Sequence, residues 1–289
     1  MDTFRHIPVL LHEVINYLQV EPDKRYIDAT LGGGGHTEAI IAAGGRVLGI
    51  DQDEAAVSAS STRLAGKDVV IAPGNFREIG RIAKEFSFEN VDGILFDLGM
   101  SSFHLDTSAR GFSFSKDEPL DMRMDVTSEL TAEEIVNTWS AQRLTEIFMK
   151  YGEEGKAESI AYAIVRTRKK APIKSTKELA AVIESVKRRE GKIHPATLVF
   201  QAIRIAVNDE MEVLREGLAQ AVELLAPKGR LAAISFHSLE DRIVKNAFRE
   251  LEYSDTFTLV TKKPIVASEE EIAENPRSRS AKLRVIERA

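Results

Sequence analysis

The sequence predicts an α/β fold: a doubly wound parallel sheet, covered by helices on both faces, with an all-α domain inserted into it. In the first part of the chain, short apolar runs alternate with helical patterns, and such alternation is typical of βαβ units. From about residue 109 to 208 the alternation stops and helical patterns dominate. We therefore expect a sheet domain in two parts, residues 1–108 and 209–289, and a helical domain at 109–208.

The elements of the predicted sheet follow in a regular order. The strand patterns are RYIDATL, RVLGID, DVVIAP and VDGILFDLG, and GRLAAI adds a fifth strand after the insert. The helical patterns between the first four are HTEAIIAAGG, DEAAVSASSTRLAG and NFREIGRIAKEF. The second of these begins with acidic residues and ends at a glycine, and the third begins with an Asn cap. Ligands of such sheets bind at the carboxyl ends of the strands.

Four helical patterns make up the predicted insert. They are TAEEIVNTWSAQRLTEIFMKYG, KAESIAYAIVRTRKK, STKELAAVIESVKRRE and HPATLVFQAIRIAVNDEMEVL. The third begins with Ser175, which is followed three residues later by Glu178, the spacing of a capping box.

Composition excludes several classes of protein. The 289 residues include 43% hydrophobic residues, enough for a full core, and no cysteine, which excludes disulfides, thiolate zinc sites and cysteine nucleophiles. No metal site is predicted. No apolar stretch approaches the roughly 20 residues that cross a bilayer, and the N-terminus lacks the layout of a signal peptide. We expect a cytoplasmic protein without membrane contact. The net charge of −6 argues against a protein that coats nucleic acid nonspecifically.

The stretch DATLGGGGH, which begins at Asp28, predicts a ligand-binding loop after the first strand. It lacks the Lys and Ser or Thr of a phosphate-binding loop, and it does not match a dinucleotide fingerprint. Asp28 would also repel phosphate. Asp51 ends the second strand 16 residues after Gly35, where a carboxylate accepts hydrogen bonds from a ribose diol. A ribose, no phosphate and tolerance of negative charge together indicate S-adenosylmethionine. The alternative is that the glycines only make a tight turn.

Longer motifs resemble the RsmH (MraW) family, the bacterial 16S ribosomal RNA cytosine N4-methyltransferases. The resemblance runs nearly from end to end, and its motifs keep their order and approximate spacing. They are HIPVLLHEV, DATLGGGGH, GIDQD, GILFDLGMSS, RGFSF, PLDMRMD, YGEE, HPATLVFQAIRIAVNDE, SFHSLEDRIVK and NPRSRSAKLR.

The resemblance implies a Rossmann-like methyltransferase domain with a helical insert and S-adenosylmethionine as the methyl donor. It implies that the acceptor is a cytosine at the P site of the decoding centre in 16S rRNA, in the small ribosomal subunit. It leaves open whether naked RNA or an assembled subunit is the substrate, and whether the chain forms a homodimer. The cofactor contacts that it implies are Gly34, Gly35, His36, Asp51, Phe76, Asp97 and His104.

Two positions depart from the family pattern. His104 in SSFHLD stands where the family usually has Gln, and an imidazole cannot offer the paired donor and acceptor of a carboxamide. The segment YSDTFTLVTK at 253–262 is shorter than in many relatives. No role of that longer segment is carried over to this chain.

The residues also bear on which atom of cytosine is methylated. Methylation at C5 needs a covalent nucleophile, normally Cys, and this chain has none. Methylation at N4 is a direct displacement that an acceptor for an N4 hydrogen would assist. Asp97, which ends the fourth strand, is the first candidate acceptor; it could instead orient the cofactor or merely cap a loop. The surface that stacks on the base could come from Phe103, Phe112 or Phe114, although each of these could equally be core.

A second polar cluster, SFHSLEDR, follows the fifth strand. Ser238 and Asp241 have the spacing of an approximate capping box, which leaves His237 unexplained. We therefore predict His237 as a candidate for substrate contact and as a second catalytic candidate.

Basic residues concentrate in the insert. Between Arg166 and Lys192 ten basic residues face three acidic ones, a local charge of +7. Such helix ends are often only solvated faces, but beside a base-modifying site they indicate RNA contact. The tail NPRSRSAKLR could be a further contact or an edge strand. The candidates for RNA binding are Arg168, Lys169, Lys170, Lys187, Arg188 and Arg189.

Two other functions remain open at this point. The chain could use the same cofactor to methylate a protein or a small molecule. It could also be a nucleotide-sensing or RNA-binding scaffold that has no turnover.

Overall fold

The computed structural model describes residues 8–99, 109–189 and 194–289, and the chain divides into two compact units. The sheet unit comprises residues 1–102 and 211–289, and the helical unit comprises residues 103–210. These limits lie a few residues from the predicted domain boundaries.

A mixed sheet of seven strands, counted over the described residues, forms the centre of the sheet unit. Its order is β3-β2-β1-β4-β5-β7-β6; the first five strands are parallel, and β7 runs antiparallel to both β5 and β6. This confirms the predicted α/β class. The strands are β1 Arg25–Asp28, β2 Arg46–Asp51, β3 Val69–Pro73, β4 Val91–Asp97, β5 Leu225–Ser235, β6 Phe257–Leu259 and β7 Lys282–Arg288.

The helices of the described residues surround this sheet or build the helical unit. In chain order they are α1 Leu11–Leu18, α2 Gly35–Ala42, α3 Glu54–Arg63, α4 Ile79–Glu85, α5 Ala132–Thr138, α6 Ala141–Gly152, α7 Ala157–Arg168, α8 Thr176–Glu184, α9 Thr197–Asn208, α10 Glu210–Leu224, α11 Ser238–Tyr253 and α12 Glu269–Glu274. None of them is both long enough and apolar enough to cross a membrane.

The strands bury both of their faces, which explains their nearly continuous apolar sequences. Along β4, Ile94 and Phe96 join a core cluster with residues of α4, α10 and α11. Leu95, between them, points to the other face and joins a second cluster with residues of α1 and α2. This alternation with a period of two residues places helices on both sides of the sheet.

The order of the strands reverses between β1 and β4, and the carboxyl ends of the parallel strands align there. Asp28 pairs with Leu95 in register, and Asp97 pairs with Ile234 on β5. On the other side, Asp51 of β2 lies opposite the last residue of β3. In doubly wound sheets this switch point is where ligands bind, so the fold brings the predicted acids to the same edge.

The predicted helical segments do form helices, but one pattern that was expected to be continuous is interrupted. The pattern at 131–152 forms two helices, because the chain leaves the helix at Trp139 and Ser140 caps α6 by accepting a hydrogen bond from the Arg143 amide. The predicted capping box at the start of α8 is confirmed, with Ser175 and Glu178 in its two positions. In the tail at 275–284, Pro276–Ser280 form a short 3₁₀ helix, and the residues from Lys282 onward begin β7. This strand is an inner strand flanked by β5 and β6 rather than an edge.

A buried ion pair holds the helical unit together. The side chain of Glu154 is 1% exposed, and its Oε2 lies 2.7 Å from the Lys187 ammonium nitrogen, while its Oε1 accepts from the Lys156 amide at 2.9 Å. The pair joins the turn before α7 to the segment after α8. The charge of Lys187 compensates a buried carboxylate, and its predicted contact with RNA stays a prediction.

The contribution of the Glu154–Lys187 pair to the free energy of unfolding can be tested by mutation. Glu154→Gln keeps the shape but leaves the Lys187 ammonium without its counter-charge, and we expect a loss of about 2–4 kcal/mol in the free energy of unfolding, slightly below the usual cost of breaking a buried pair because Lys187 can reach water. Urea unfolding followed by circular dichroism measures the loss. The matched control is Glu146→Gln on the exposed side of α6, which should change the stability by less than about 0.5 kcal/mol. Equal effects of the two variants would refute the structural role of the pair.

Candidate active site

The glycine-rich loop connects β1 to α2 and lies against the ends of the neighbouring strands. The Leu31 amide donates to the Ile50 carbonyl at 2.9 Å, which ties the loop to β2. Gly34, the N-cap of α2, has a φ of 74°, a left-handed conformation that favours glycine. A Cβ built on Gly33 meets no atom within 4 Å. The loop is therefore anchored by its backbone and has an open side at Gly33.

Asp51 closes this loop from the side of β2. Its Oδ2 accepts from the Gly32 amide at 2.7 Å, and its Oδ1 accepts from the Asp53 amide at 2.9 Å. Each carboxylate oxygen can accept more than one hydrogen bond, so a fixed carboxylate of this kind can also receive hydroxyl groups.

The turn after β3 lies next to the end of β2. The Asn75 side-chain amide donates to Gln52 Oε1 at 2.7 Å, and the Gly74 amide donates to the Asp51 carbonyl at 2.9 Å. Phe76 follows at the start of a short 3₁₀ helix and packs edge-on against Phe96 of β4, with ring centroids 5.3 Å apart. The half-buried ring thus lies near the end of the strand that Asp97 terminates.

Asp97 has an unusual carboxylate. Its amide donates to the Thr30 hydroxyl at 2.6 Å, which fixes the end of β4 to the loop. The side chain is only 19% exposed, and among the described residues no hydrogen-bond partner reaches its buried Oδ1. A buried acceptor without a donor costs free energy, so this atom identifies a place where a donor or a cation would be stabilised.

His36 contacts Asp97 from the first turn of α2. The ring is buried, with Nε2 3.0 Å from the Val9 carbonyl and Nδ1 3.6 Å from Asp97 Oδ2. Because a carbonyl only accepts, Nε2 must carry the hydrogen, and in a neutral ring Nδ1 then presents a lone pair to Asp97. The two groups attract each other only when a further proton lies on the imidazole or on the carboxyl group.

The electrostatics of the site agree with this geometry. Burial raises the pKa of Asp97 to about 6; a positive charge on His36 and a hydrogen bond from the Gly99 backbone oppose this rise of the pKa, while the charges of Asp28 and Glu240 add to it. Burial also raises the pKa of Asp28, which is 1% exposed and accepts from the Thr37 hydroxyl at 2.7 Å. A site with several withdrawn carboxyl groups repels phosphate and favours a cationic ligand.

His237 caps α11, which corrects the prediction that Ser238 and Asp241 form the capping box. The Glu240 amide donates to His237 Nδ1 at 3.4 Å, and Glu240 Oε2 accepts from the Phe236 amide at 2.8 Å and from the His237 amide. Asp241 instead forms an ion pair with Arg284 of β7. The capping hydrogen bond thus explains the role of the Nδ1 atom of His237.

The other ring nitrogen of His237 is not used in the same way. With Nδ1 accepting, the neutral ring carries its hydrogen on Nε2, which is buried and 3.1 Å from Glu240 Oε1. The contact is close, but it lacks the alignment of a hydrogen bond. His237 therefore keeps a donor at the edge of the site, and its role toward substrate stays a prediction.

The residues at this edge fit S-adenosylmethionine, the ligand predicted from the sequence. Asp51 offers a fixed acceptor for ribose hydroxyls, and the open side of Gly33 leaves room beside it. The Asp97 oxygen, which no donor in residues 8–99, 109–189 or 194–289 reaches, suits an ammonium or a sulfonium ion. The observation that tests the fit is the buried Oδ1 atom, since a phosphate ligand would leave it unsatisfied.

The predicted cofactor contacts in the described residues belong to one edge of the sheet unit. Gly34, His36, Asp51, Phe76 and Asp97 lie at the carboxyl ends of β1 to β4 or in the segments that follow them. Gly35 lies there too, but a Cβ at this position would collide with Pro8, so its small size serves close packing of the N-terminal segment. His104, like Phe103, lies outside the described residues.

The aromatic candidates of the helical unit have partners within it. Phe112 is buried, and the Arg110 guanidinium lies over its ring, 5.6 Å from the centroid. Phe114 stacks on His194 with ring centroids 4.4 Å apart and contacts Phe200 edge-on. Both rings therefore fit the alternative that they are core.

The basic candidates divide into two groups. Arg168 donates to the carbonyls of Val136 and Trp139, each at 2.6 Å, and so satisfies acceptors at the end of α5. Lys187 forms the ion pair with the buried Glu154. These two side chains have partners inside the helical unit, and their contact with RNA stays a prediction. Four candidates are exposed: Lys169, Lys170, Arg188 and Arg189.

No pattern in the sequence predicted three groups that shape the site. The hydroxyl of Thr30 holds Asp97, the hydroxyl of Thr37 holds Asp28, and the Val9 carbonyl holds His36. Threonines beside glycines suggest only a turn or a cap, and a backbone carbonyl has no sequence signature. These contacts arise from the way the loop folds over the strand ends.

Comparison with known proteins provides independent evidence on the family of this chain. The model of the MraW methylase family matches residues 3–289. Ribosomal RNA small subunit methyltransferase H of Thermomicrobium roseum is 51% identical over 98% of this chain and 93% of the relative. The protein of the same name from Carboxydothermus hydrogenoformans is 49% identical over 99% of this chain and 98% of the relative.

A solved structure, a rRNA methylase from Streptococcus thermophilus, is 12% identical with a TM-score of 0.45 and covers 98% of this chain and 99% of that one. The family assignment therefore depends on the sequence matches.

The buried Asp97 predicts how stability depends on pH. Its folded pKa of about 6 lies above the ordinary 3.8, so the unfolded chain ionises this group first as the pH rises. The favourable contribution is complete below about pH 4 and is lost as the pH rises through about 6, a change of up to ~3 kcal/mol. Asp97→Asn should flatten this part of the profile and unfold at higher urea than wild type at pH 7.

Urea unfolding of the cofactor-free protein at a series of pH values measures the difference. Asp255→Asn, at an exposed position of the same unit, is the control and should keep the wild-type slope. An unchanged slope in Asp97→Asn would show that the carboxyl group is not withdrawn from water.

Proposed function

Since this chain belongs to the MraW methylase family, we propose that it methylates the N4 amine of a cytosine in the P-site region of the decoding centre of 16S ribosomal RNA. S-adenosylmethionine is the methyl donor. The names of the two relatives support ribosomal RNA of the small subunit as substrate. The choice of N4 rests on the motifs of the chain and on its chemistry. One observation carries the proposal: no donor in the described part of the chain bonds to the buried Oδ1 of Asp97, which lies at the switch point of the sheet.

The residues that would hold the cofactor follow from the chemistry of each end of that molecule. Asp51 would accept hydrogen bonds from the ribose hydroxyls, and Phe76 would supply apolar surface beside the turn after β3. Asp28 and Asp97 place negative charge where a cation is favoured. When bound, S-adenosylmethionine supplies an electrophilic methyl group on a positively charged sulfur.

The role of Asp97 follows from the weakness of the nucleophile. The N4 lone pair is delocalised into the ring of cytosine, so the amine attacks poorly unless its electrons are localised on nitrogen. Asp97 Oδ1 would accept a hydrogen bond from an N4 hydrogen, which favours the tetrahedral amine. During methyl transfer the carboxylate would take the proton that the nitrogen loses.

His36 would assist this step without touching the base. Its Nε2 is fixed on the Val9 carbonyl, and its Nδ1 lone pair points toward Asp97 Oδ2. A proton carried on Oδ2 of Asp97 would therefore be stabilised by a nearby acceptor. In this proposal His36 is a positioning residue and Asp97 is the catalytic residue.

The absence of cysteine excludes the main alternative on cytosine. Methylation at C5 requires a nucleophile that adds to the ring, and the 289 residues contain no cysteine. The target base must also leave its stack to reach the edge of the sheet, because its amine is otherwise engaged in the RNA.

The proposal is tested by following the methyl group. Enzyme is incubated with tritium-labelled S-adenosylmethionine and either naked 16S RNA, 30S subunits or protein extract, and the RNA is digested to nucleosides. We expect the label in N4-methylcytidine. Label in 5-methylcytidine, in another nucleoside or in protein would overturn the proposed reaction.

Asp51 is expected to contribute to cofactor affinity. Asp51→Ala removes a charged acceptor for buried hydroxyls, and the binding free energy should weaken by about 1–3 kcal/mol. Isothermal titration calorimetry measures the change, and circular dichroism checks the fold. Asp68→Ala, an exposed acid at the opposite end of β3, is the control and should leave the affinity unchanged. Unaltered affinity in a folded Asp51→Ala protein would remove Asp51 from the site.

Asp97→Asn separates catalysis from cofactor binding. The variant keeps the shape but loses the charge and the basicity, so turnover should fall on the order of 10²-fold, the scale for loss of one group that stabilises a transition state. Cofactor affinity should fall by much less than turnover, because the carboxamide loses the charge beside the cation but keeps a hydrogen-bonding oxygen. If affinity falls as much as turnover, Asp97 anchors the cofactor, and the acceptor has to be sought near His237.

A further inference from the structure

The helical unit carries an open groove of about 290 Å³ that the proposed reaction does not use. Its lining comes from one face of α7 and from the segment after α8: Ser159, Tyr162, Ala163, Arg166 and Val186. Tyr162 is 60% exposed, which is unusual for a large aromatic side chain. The flat aromatic ring of Tyr162 therefore borders the groove, and Ser159 and Arg166 add polar groups to its lining.

The charges beside the groove are predominantly positive. Arg166 lies one helical turn after Tyr162, and Lys169 and Lys170 continue from the same helix end. Arg188 and Arg189 follow Val186 on the other side, and all five of these side chains are exposed. Of the exposed acids nearby, Glu184 is bound to His194 at 2.9 Å, and Glu158 lies one turn before Tyr162.

We propose that the Tyr162 groove binds a nucleotide of single-stranded RNA, with the base stacked on Tyr162 and the neighbouring phosphates held by Arg166 and the flanking basic residues. The inference deepens the proposed function, since it takes the RNA substrate from there. It adds a binding site that is distinct from the residues that carry the chemistry.

The chemistry of the groove selects this ligand over others. Sequence-tolerant binding of single strands combines aromatic side chains that stack on bases with basic residues that follow the backbone. A duplex buries its bases in the stack and could not reach Tyr162. A membrane or an apolar peptide would require more apolar surface than one tyrosine and the half-buried Val186 offer.

The first experiment measures binding of the full chain, without cofactor, to a fluorescein-labelled single-stranded oligoribonucleotide by anisotropy. Tyr162→Ala should weaken binding about 5- to 100-fold, the range for loss of one stacked base. Tyr162→Phe keeps the ring and should retain wild-type affinity. Tyr253→Ala, which removes a tyrosine that is 83% exposed on α11 of the sheet unit, is the matched control and should have no effect.

Arg166 is tested through salt dependence. Arg166→Ala should reduce the slope of log affinity against log salt by about 0.7, the value for one phosphate contact to a single strand. The control is Arg249→Ala, an exposed arginine of α11. An unchanged slope in Arg166→Ala would remove the phosphate contact from the proposal.

Photocrosslinking locates the base directly. RNA that contains 4-thiouridine is irradiated with the protein, and the adduct is mapped by mass spectrometry. Trypsin cuts after Lys156 and Arg166 and yields the peptide AESIAYAIVR, in which Tyr162 is the only aromatic residue. An adduct on this tyrosine supports the groove as the base site, and adducts confined to other peptides overturn it.

The two proposals fail separately. Binding that depends on Tyr162, without any methyl transfer to RNA, would keep the groove and overturn the proposed reaction. Formation of N4-methylcytidine at wild-type rate and Michaelis constant by Tyr162→Ala, together with unchanged RNA affinity, would overturn the groove and leave the reaction in place.

Discussion

Carboxyl groups withdrawn from water at the switch point of the sheet are the constraint on which this site depends. An ionised carboxylate in such a position is stable only with hydrogen-bond donors or positive charge beside it. The chain supplies donors to Asp28 through Thr30 and Thr37. It supplies none to Oδ1 of Asp97 within the described residues. Burial raises the pKa of Asp97. The unpartnered oxygen makes this edge of the sheet receptive to a cation or an N–H donor.

The glycine-rich loop lies at the same edge of the sheet as these carboxyl groups, and its shape is adapted to that position. Its backbone has to pass between the ends of β1, β2 and β4, and it uses the left-handed conformation of Gly34 to start α2 there. The helix then presents His36 to Asp97, and the N-terminal segment closes over the ring through the Val9 carbonyl. One hydrogen bond to a carbonyl thereby fixes the tautomer of the imidazole that faces the catalytic candidate.

The helical unit shows why a count of charges does not identify a binding surface. Arg168 and Lys187 belong to the same basic run as Lys169 and Arg188, yet their cationic groups are directed at helix carbonyls and at the buried Glu154. Burying a carboxylate is costly unless a cation accompanies it, so part of the basic run is needed by the fold itself. The exposed basic residues indicate a binding surface only because they lie near the exposed Tyr162. A count of charges does not reveal this aromatic side chain.

The sequence by itself determined the class of fold, the place of the insert, the loop that begins at Asp28 and the acids that end β1, β2 and β4. These features were predictable because they depend on periodicity along the chain and on motifs of fixed spacing. Only the tertiary structure decided that His237 rather than Ser238 caps α11, that β7 is an inner strand, and that Tyr162 is exposed. It also decided which donors reach Asp28, and that none from the described residues reaches Oδ1 of Asp97. The physical reason is that such properties depend on contacts between residues far apart in the chain, and local patterns of polarity carry no record of those contacts.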